Sequence, residues 1–148
     1  MKIYIGSDHA GYELKEKLKE YLGELGNTVE DKGAFTLNPT DDYPDFIIPV
    51  ALAVAKDITS RGIILGGSGE GEEMAANKVD GIRATEFYGG NLDVVKVSRE
   101  HNDANILSLG ARFVTEDEAK EAVKIFLETE FSGDERHVRR IKKLEANN

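Results

Sequence analysis

The stretch Gly62-Ile63-Ile64-Leu65-Gly66-Gly67-Ser68-Gly69-Glu70-Gly71-Glu72 decides the fold of this chain. Its first five residues form a short apolar run that is typical of a buried strand, and the glycines that follow are typical of a tight turn. Residues 70–78 have the composition of a helix, so the stretch predicts a strand, a turn and a helix in succession. Backbone N–H groups at such a turn can approach an anion closely, and a helix N-terminus favours negative charge.

The same alternation of strand and helix continues on both sides of this stretch. Strands are predicted at 2–6, 28–31, 62–66, 82–87 and 105–109, and helices at about 14–25, 46–55, 70–78, 91–100, 116–128 and 134–146. Strict alternation with short connections predicts a five-stranded parallel sheet covered on both faces, a Rossmann-like three-layer α/β/α sandwich. The length of 148 residues suits a single domain over 1–148. The helix over 46–55 is apolar almost all round, which predicts deep packing or contact with a second subunit.

Composition excludes several classes of protein. The chain has no cysteine, which excludes disulfides, thiolate metal sites and cysteine nucleophiles. Its net charge of −9 argues against a general nucleic-acid binder, which needs a basic face, but not against a small anionic ligand. No apolar run approaches the roughly 20 residues of a membrane helix, and the first residues do not resemble a signal peptide. We therefore expect a cytoplasmic protein with no membrane partner.

Polar and glycine-rich segments follow three of the predicted strands. Because parallel sheets bind ligands at the carboxyl ends of their strands, function is expected at Ser7-Asp8-His9, at Gly67-Ser68-Gly69 and around Gly110-Ala111-Arg112. The glycine turn lacks the lysine of a P-loop and the spacing of a dinucleotide fingerprint, so no nucleotide site is predicted. A turn whose glycines serve only its geometry is the alternative interpretation.

Several acid and base groups lie near these segments. Glu70, Glu72 and Glu73 begin a helix, where acidic residues ordinarily complement the helix dipole. Repulsion among carboxylates, together with burial, can also raise one pKa toward that of a general base. Asp8-His9 and His101-Asn102 could each be a helix cap, but at one sheet edge the two pairs would supply acid, base and hydrogen-bonding groups. Asp8, His9 and His101 do not show the spacing of a zinc site.

Two arginines lie four residues apart in the last predicted helix. Arg136 and Arg140 therefore share one helix face. Two guanidinium groups suit a phosphate, which accepts bidentate hydrogen bonds. The alternative is that they pair with surface carboxylates, which this acidic chain has in plenty.

Several spaced motifs occur in an order that resembles a known family. They are Gly6-Ser7-Asp8-His9-Ala10-Gly11, Asp42-Tyr43-Pro44, the turn Gly66–Glu72, Ala75-Ala76-Asn77-Lys78, Arg99-Glu100-His101-Asn102 and Arg136-His137-Val138-Arg139-Arg140. Over essentially the whole chain the set resembles the type B ribose-5-phosphate isomerase family, which also holds galactose-6-phosphate isomerase subunits. The resemblance implies a sugar-phosphate substrate, a homodimer or dimer of dimers with its active site at the interface, no metal and no cofactor.

The resemblance also implies roles for individual residues. Glu72 is the expected base, His101 assists opening of the sugar ring, and Ser68 contributes a hydroxyl group. The implied substrate-binding residues are Asp8, His9, Tyr43, Gly67, Gly69, Glu70, Gly71, Asn102, Arg112, Arg136 and Arg140. Some of the arginines are expected to act from the partner subunit, and the helix over about 134–146 is expected to contact it.

Two departures from the family pattern affect the interpretation. Many members carry a cysteine base at the position of Gly66, whereas a second subgroup uses a glutamate at the position of Glu72, which this sequence fits. Residues 86–91 match no family motif and leave substrate length open. The prediction is interconversion of ribose 5-phosphate and ribulose 5-phosphate through a cis-enediolate. The alternatives are an isomerase of a six-carbon sugar phosphate, such as allose or galactose 6-phosphate, and a non-catalytic phosphate- or nucleotide-binding module.

Overall fold

A computed structural model describes residues 1–146 of the chain. Its strands are β1 (Lys2–Ser7), β2 (Thr28–Asp31), β3 (Arg61–Gly66), β4 (Ala84–Phe87) and β5 (Ile106–Gly110). Its helices are α1 (Tyr12–Glu24), α2 (Pro44–Lys56), α3 (Glu70–Ala76), α4 (Asp93–Asn102), α5 (Glu116–Glu128) and α6 (Glu135–Glu145). None of these helices has both the length and the apolar character needed to cross a membrane. The predicted alternation of strand and helix is confirmed.

All five strands pair in parallel in the order β2-β1-β3-β5-β4. The central strand β3 therefore lies between β1 and β5, whose following segments were also predicted to carry function. Ser7 pairs with Leu65, and Gly66 pairs with Gly110, so the three strands end at nearly the same level. The predicted parallel sheet is confirmed, and its carboxyl edge brings the three segments side by side.

Apolar side chains cover both faces of the sheet. On one face Ile5 and Leu65 belong to a core that includes residues of α1, α4 and α5. On the other face Tyr4 and Ile64 pack with residues of α2 and α3. Strands buried on both faces are apolar at successive positions rather than at alternate ones, which explains the continuous run in β3. The predicted three layers are confirmed.

Two helices, α3 and α4, end two residues away from the predicted position, the largest such differences. α3 ends at Ala76, two residues early, because the Asn77 side chain bonds the backbone of β4. It accepts from the N–H of Ala84 at 2.8 Å and donates to the carbonyl of Ala84 at 3.2 Å. α4 extends to Asn102, so His101 and Asn102 form its last turn instead of following it.

Apolar side chains also cover part of the outer surface of α2. The helix buries Ile47 and Val50 against the sheet but leaves Ile48 and Leu52 38% and 44% exposed. Met74, on the neighbouring α3, is 61% exposed. We call Ile48, Leu52 and Met74 the apolar outer patch. It accounts for the nearly continuous apolar character that the sequence shows over 46–55.

Candidate active site

The glycine-rich turn connects β3 to α3 at the carboxyl edge of the sheet. Gly69 has a φ of 88°, a left-handed conformation that glycine adopts without strain. A Cβ atom on Gly69 would lie 2.7 Å from Glu86 Oε1 and 3.1 Å from the Gly110 nitrogen. A Cβ atom on Gly71 would lie 2.9 Å from the ring of Tyr43. Geometry alone therefore requires glycine at these two positions, and the turn packs tightly against the side chains of Glu86 and Tyr43 and against the backbone of β5.

The carboxylate of Glu72 lies against the end of β3. The residue is 4% exposed, and a Cβ atom built on Gly66 would overlap the carboxylate. Burial raises the pKa of Glu72, and the negative charge of Asp8 adds to this rise, while the backbone N–H groups of Glu72 and Gly69 oppose it. A buried carboxylate with a raised pKa at a ligand-binding edge is suited to act as a general base.

Asp8 and His9 follow β1 directly and meet a third polar residue. Asp8 Oδ1 accepts from the N–H groups of Ala10 and Gly11 at 2.9 and 3.2 Å, so this oxygen stabilises the turn before α1. The interpretation of Asp8 as the helix cap is wrong, because the N-cap is Gly11 and receives no side-chain capping bond. Asp8 Oδ2 lies 3.7 Å from Nδ1 of His9. The same Nδ1 is 2.6 Å from Oδ1 of Asp41, in the loop before α2. Both predicted residues therefore lie at the carboxyl edge, and Asp8 is close enough to Glu72 for its charge to raise the Glu72 pKa.

Arg112, after β5, lies beside the glycine turn. Its backbone N–H donates to the carbonyl of Gly67 at 3.0 Å, and a Cβ atom on Gly67 would lie 3.2 Å from the guanidinium group. Ser68 is exposed at the same turn, and its Oγ accepts from the N–H of Glu70 at 3.3 Å. The structure thus brings together at one edge most of the predicted site residues: Asp8, His9, Tyr43, Gly67, Ser68, Gly69, Glu70, Gly71, Glu72 and Arg112.

His101 and Asn102 lie at the opposite edge of the same chain. α4 runs antiparallel to the strands, so its last turn is beside the amino end of β4, where Nε of Arg83 donates to the Asn102 carbonyl at 3.0 Å. The ring of His101 stacks on that of His137 from α6, with centroids 4.3 Å apart. The expectation that His101-Asn102 and Asp8-His9 share a sheet edge is wrong within one chain. The reason is that α4 connects two parallel strands and must return the chain to their amino ends.

The remaining two predicted arginines lie on α6, close to the end of α4. Arg140 lines a cavity of about 560 Å³ together with Asn102 of α4 and Glu73 of α3. Arg136 is 3.8 Å from Asp134, and both side chains are more than half exposed, so this surface ion pair contributes little stability. Neither guanidinium group belongs to the cluster around the glycine turn of its own chain.

Two carboxylates at the carboxyl edge were not predicted. Asp41 bonds His9 from 32 positions away, and no periodic pattern marks such a loop residue. Glu86 lies on β4, and its Oε1 is buried against Gly69 without a hydrogen-bond partner among the described residues. Burial and the neighbouring carboxylates raise the pKa of Glu86 to about 7. The sequence contained one sign of this role: Glu86 is two residues from apolar Ala84, so an acidic side chain shares a strand face with an apolar one.

Together, the fold and the site define a class of protein. A buried carboxylate with a raised pKa, beside the backbone N–H groups of a glycine turn, has the chemistry needed to move a proton between carbon atoms while the turn stabilises a developing oxyanion. The guanidinium group of Arg112 suits an anionic substrate. These are the parts of an enzyme that isomerises a small anionic molecule by proton transfer.

Comparison with known proteins identifies the family. Residues 3–144 match the Ribose/Galactose Isomerase family model, so the chain belongs to this family and is an isomerase. Ribose-5-phosphate isomerase B of Mycobacterium leprae (strain TN) is 43% identical over 141 residues, which cover 95% of this chain and 86% of the relative. The resemblance found in the sequence motifs is confirmed.

Solved structures agree with this assignment. Ribose-5-phosphate isomerase B from Mycoplasma genitalium, with bound ribulose-5-phosphate, matches with a TM-score of 0.93 and 39% identity over 99% of this chain and 95% of that one. The corresponding protein from Clostridium thermocellum matches with a TM-score of 0.92 and 47% identity over 99% and 97%.

Proposed function

We propose that this chain interconverts ribose 5-phosphate and ribulose 5-phosphate through a cis-enediolate, with Glu72 as the base. The observation that carries the proposal is the buried Glu72 carboxylate, held against Gly66 beside the glycine turn. The similarity to a structure that holds ribulose-5-phosphate supports the choice of substrate. The single-domain organisation and the cytoplasmic location stay predictions.

Glu72 carries out the proton transfer in this mechanism. In the aldose-to-ketose direction its carboxylate takes the proton from C2, and the C–H electrons form the C1–C2 double bond while negative charge develops on O1. A proton moves from O2 to O1 as the O2–H electrons form the C2 carbonyl, and the electrons of the C1–C2 double bond take the proton that Glu72 returns to C1. The raised pKa brings the carboxyl group closer to the operating pH, where general base catalysis is most effective.

The glycine turn stabilises the charge that develops on the substrate. Backbone N–H groups over 67–71 and the Ser68 hydroxyl are the proposed donors to the enediolate oxygen. They are fixed before the substrate arrives because Gly69 and Gly71 pack closely against Glu86 and Tyr43. Loss of one such donor typically lowers the rate by about 10²–10³-fold.

His101 and Asn102 act on the sugar ring in the proposed mechanism. A pentose phosphate reaches the enzyme mainly as a ring, which an acid or base must open before the enediolate can form. His101 is suited to this step because an imidazole ring carries both a donor and an acceptor nitrogen. Arg112, Arg136 and Arg140 hold the phosphate, whose binding orients the reacting carbon atoms.

We propose that each site is shared by two copies of the chain. Glu72 lies at the carboxyl edge of the sheet, whereas His101 and Asn102 lie at its amino edge. The predicted catalytic and substrate-binding residues of one chain therefore do not form one site. In a two-fold dimer the same patch of both copies forms the interface, so a residue of one copy can meet a different residue of the other, and the pair occurs twice. The apolar outer patch on α2 and α3 supplies surface that a second copy can bury, and α6 would bring Arg136 and Arg140 of the partner subunit to the glycine turn.

A six-carbon substrate is the second candidate, because the matched family model, Ribose/Galactose Isomerase, names a six-carbon sugar beside ribose. The segment 86–91 matches no family motif, and its Tyr88 is 55% exposed. The Cβ of Tyr88 would lie 2.9 Å from a Cβ atom on Gly110, so the residue lies near the glycine turn, where it can limit substrate length. The sequence motifs shared by the family contain no information about this part of the site.

A coupled assay on three aldose phosphates tests the proposed function. We expect the kcat/KM of the purified protein to be highest for ribose 5-phosphate, and lower for allose 6-phosphate and galactose 6-phosphate. A higher kcat/KM for either six-carbon substrate assigns the second candidate. Nucleotide binding without turnover of any sugar phosphate would contradict both and favour a binding module.

A further inference from the structure

One carboxylate at the carboxyl edge has no part in the reaction described so far. The side chain of Asp41 is only 7% exposed, although it belongs to the loop between β2 and α2. Its Oδ1 accepts a hydrogen bond from the backbone N–H of His9 at 3.1 Å and lies 2.6 Å from ring Nδ1 of the same residue, within hydrogen-bond distance. Two bonds between one residue and one oxygen fix both the backbone of His9 and the rotation of its ring.

We propose that Asp41 is a positioning residue that keeps a proton on Nδ1 of His9 and presents Nε2 to the substrate. An ionised carboxylate only accepts hydrogen bonds, so the nitrogen that faces it must carry a proton. The ring of His9 is 30% exposed, which leaves its other side open to the site. Nε2 is then the nitrogen that accepts from a substrate oxygen, or donates to it when the ring is charged. The identity of that substrate rests on the proposed function, whereas the state of the ring does not.

A bound cation is the main alternative for these side chains. Asp8, His9 and Asp41 form a group of three whose ligand atoms lie within 4.8 Å of one another. However, Nδ1 and Oδ1 are 2.6 Å apart, the separation of a charge-assisted hydrogen bond. Two ligands that each lie about 2.0–2.2 Å from one ion in tetrahedral geometry are about 3.4 Å apart. The observed separation therefore favours a hydrogen-bonded pair over a metal site.

The second oxygen of Asp41 argues against a purely structural role. Oδ2 is buried and has no hydrogen-bond partner among residues 1–146. An unused acceptor on a buried carboxylate lowers stability, because the group has lost water without replacing it. A neutral side chain would hold the loop at least as well. The retained carboxylate is instead explained by its effect on the His9 ring.

The ring proton can be observed directly by nitrogen NMR of the full-length protein. We expect the neutral His9 ring in the wild type to be the Nδ1–H form, with its signals assigned through a His9→Gln variant. In Asp41→Ala the ring should return to the Nε2–H form that free histidine prefers. Asp42→Asn is the matched control, because Asp42 is an exposed carboxylate on the same loop, and it should leave the His9 signals unchanged.

Kinetic and unfolding measurements on the same variants complete the test. We expect kcat/KM of Asp41→Ala to fall by about 10- to 100-fold, the usual scale for losing the partner that orients a functional histidine. Its unfolding temperature should fall only slightly, because removal of the unpaired Oδ2 partly offsets the lost hydrogen bonds to His9. Asp42→Asn should keep both values.

Three outcomes would overturn the inference. They are an Nε2–H ring in the wild type, a loss of activity in Asp41→Ala with an unchanged ring form, and a shift of the His9 signals by added Zn²⁺ that Asp41→Ala abolishes. The NMR result needs no substrate. If the wild-type protein fails to isomerise any sugar phosphate, the proposed function is wrong while the ring measurement still decides the role of Asp41.

Discussion

The carboxyl edge of the sheet and the region of α4 and α6 hold their functional groups in opposite ways. At the carboxyl edge the acids are buried, with Asp8 7% and Glu72 4% exposed, and glycine backbone packs directly against Glu72. On α6 the side chain of Arg136 is 59% exposed and has only a distant ion-pair partner. A group that moves a proton must be fixed before the substrate binds, whereas a group that holds a phosphate can come from another surface.

Charge separates the two regions in the same way. Four carboxylates surround the start of α3, and the pKa of Glu86 rises partly because the other three are close. In contrast, α6 carries most of the basic side chains of the last segment, Arg136, Arg139, Arg140, Lys142 and Lys143. Surfaces of opposite charge favour association and fix its orientation. The comparison therefore predicts that the two regions meet between copies of the chain. Three experiments follow: the first and third test the properties of the carboxyl edge, and the second tests whether the two regions meet.

The largest effect is expected when the base is removed from the carboxyl edge. Glu72→Gln keeps the shape of the side chain but cannot accept a proton, so kcat should fall by about 10²–10⁴-fold, the usual contribution of a general base. Glu73→Gln removes the same charge from the same helical turn and should keep nearly full activity. Steady-state assays on ribose 5-phosphate compare them. A near wild-type kcat in Glu72→Gln would show that another group is the base.

A smaller effect, a partial recovery of activity, is expected when variants of the two regions are mixed. Glu72→Gln and His101→Ala subunits are unfolded together and refolded. A hybrid dimer then has one site with both native residues and one with neither, and half of the dimers are hybrids. The mixture should regain about a quarter of wild-type activity, because half of the dimers are hybrids and one of the two sites in each hybrid is intact. This recovery is expected only if each site contains residues from two chains.

The control for this mixture combines two variants of the same region. Asp8→Asn and Glu72→Gln both alter the carboxyl edge, so no hybrid contains an intact site and activity should stay low. Equal recovery in both mixtures, or none in the first, would contradict a site that is shared between the glycine turn and α4.

The smallest effect concerns Glu86 and the pH dependence of stability. The pKa of Glu86 is raised from 4.5 to about 7 in the folded protein, so the folded state binds this proton more tightly. The resulting stability is fully present below about pH 4.5 and is lost as the pH rises through 7. Glu86→Gln does not ionise and should be more stable than the wild type at pH 8, by less than about 1 kcal/mol because solvent screens the group.

Thermal unfolding at pH 5 and pH 8 measures this difference. Glu121→Gln, an exposed carboxylate on α5, is the control and should follow the wild type at both values. If Glu86→Gln shows the same pH dependence as the wild type, the Glu86 carboxyl is ionised like an exposed one. The carboxyl edge would then be less closed to solvent than the comparison requires.

Local patterns were enough to predict the fold and the location of the glycine turn. The run over 62–66 is apolar at successive positions because β3 is buried on both faces, and the glycines after it mark the strand end. Pairing of β1, β3 and β5 then follows from the topology of parallel sheets. Ends of elements were less predictable, since α3 ends where the Asn77 side chain bonds β4, a contact between separate elements.

The assembly of the site was less predictable than the fold. His101 was expected beside Asp8, but a helix that connects parallel strands ends at the amino edge of the sheet. His101 lies at that edge because it is in the last turn of α4, which runs antiparallel to the strands, and its polar character did not indicate this. Asp41 and Glu86 acquire their importance from contacts with His9 and Gly69 that only the folded chain makes. Neither contact leaves a repeat or spacing in the sequence.

The close contact of Gly66 with Glu72 has a consequence for any substitution at residue 66. A side chain at this position would take the volume that the Glu72 carboxylate now fills, so the carboxylate would have to move. Glu72 would keep its charge and lose its position. The bare backbone of Gly66 therefore fixes where the Glu72 carboxylate can take up a proton, although glycine itself has no group that could do so.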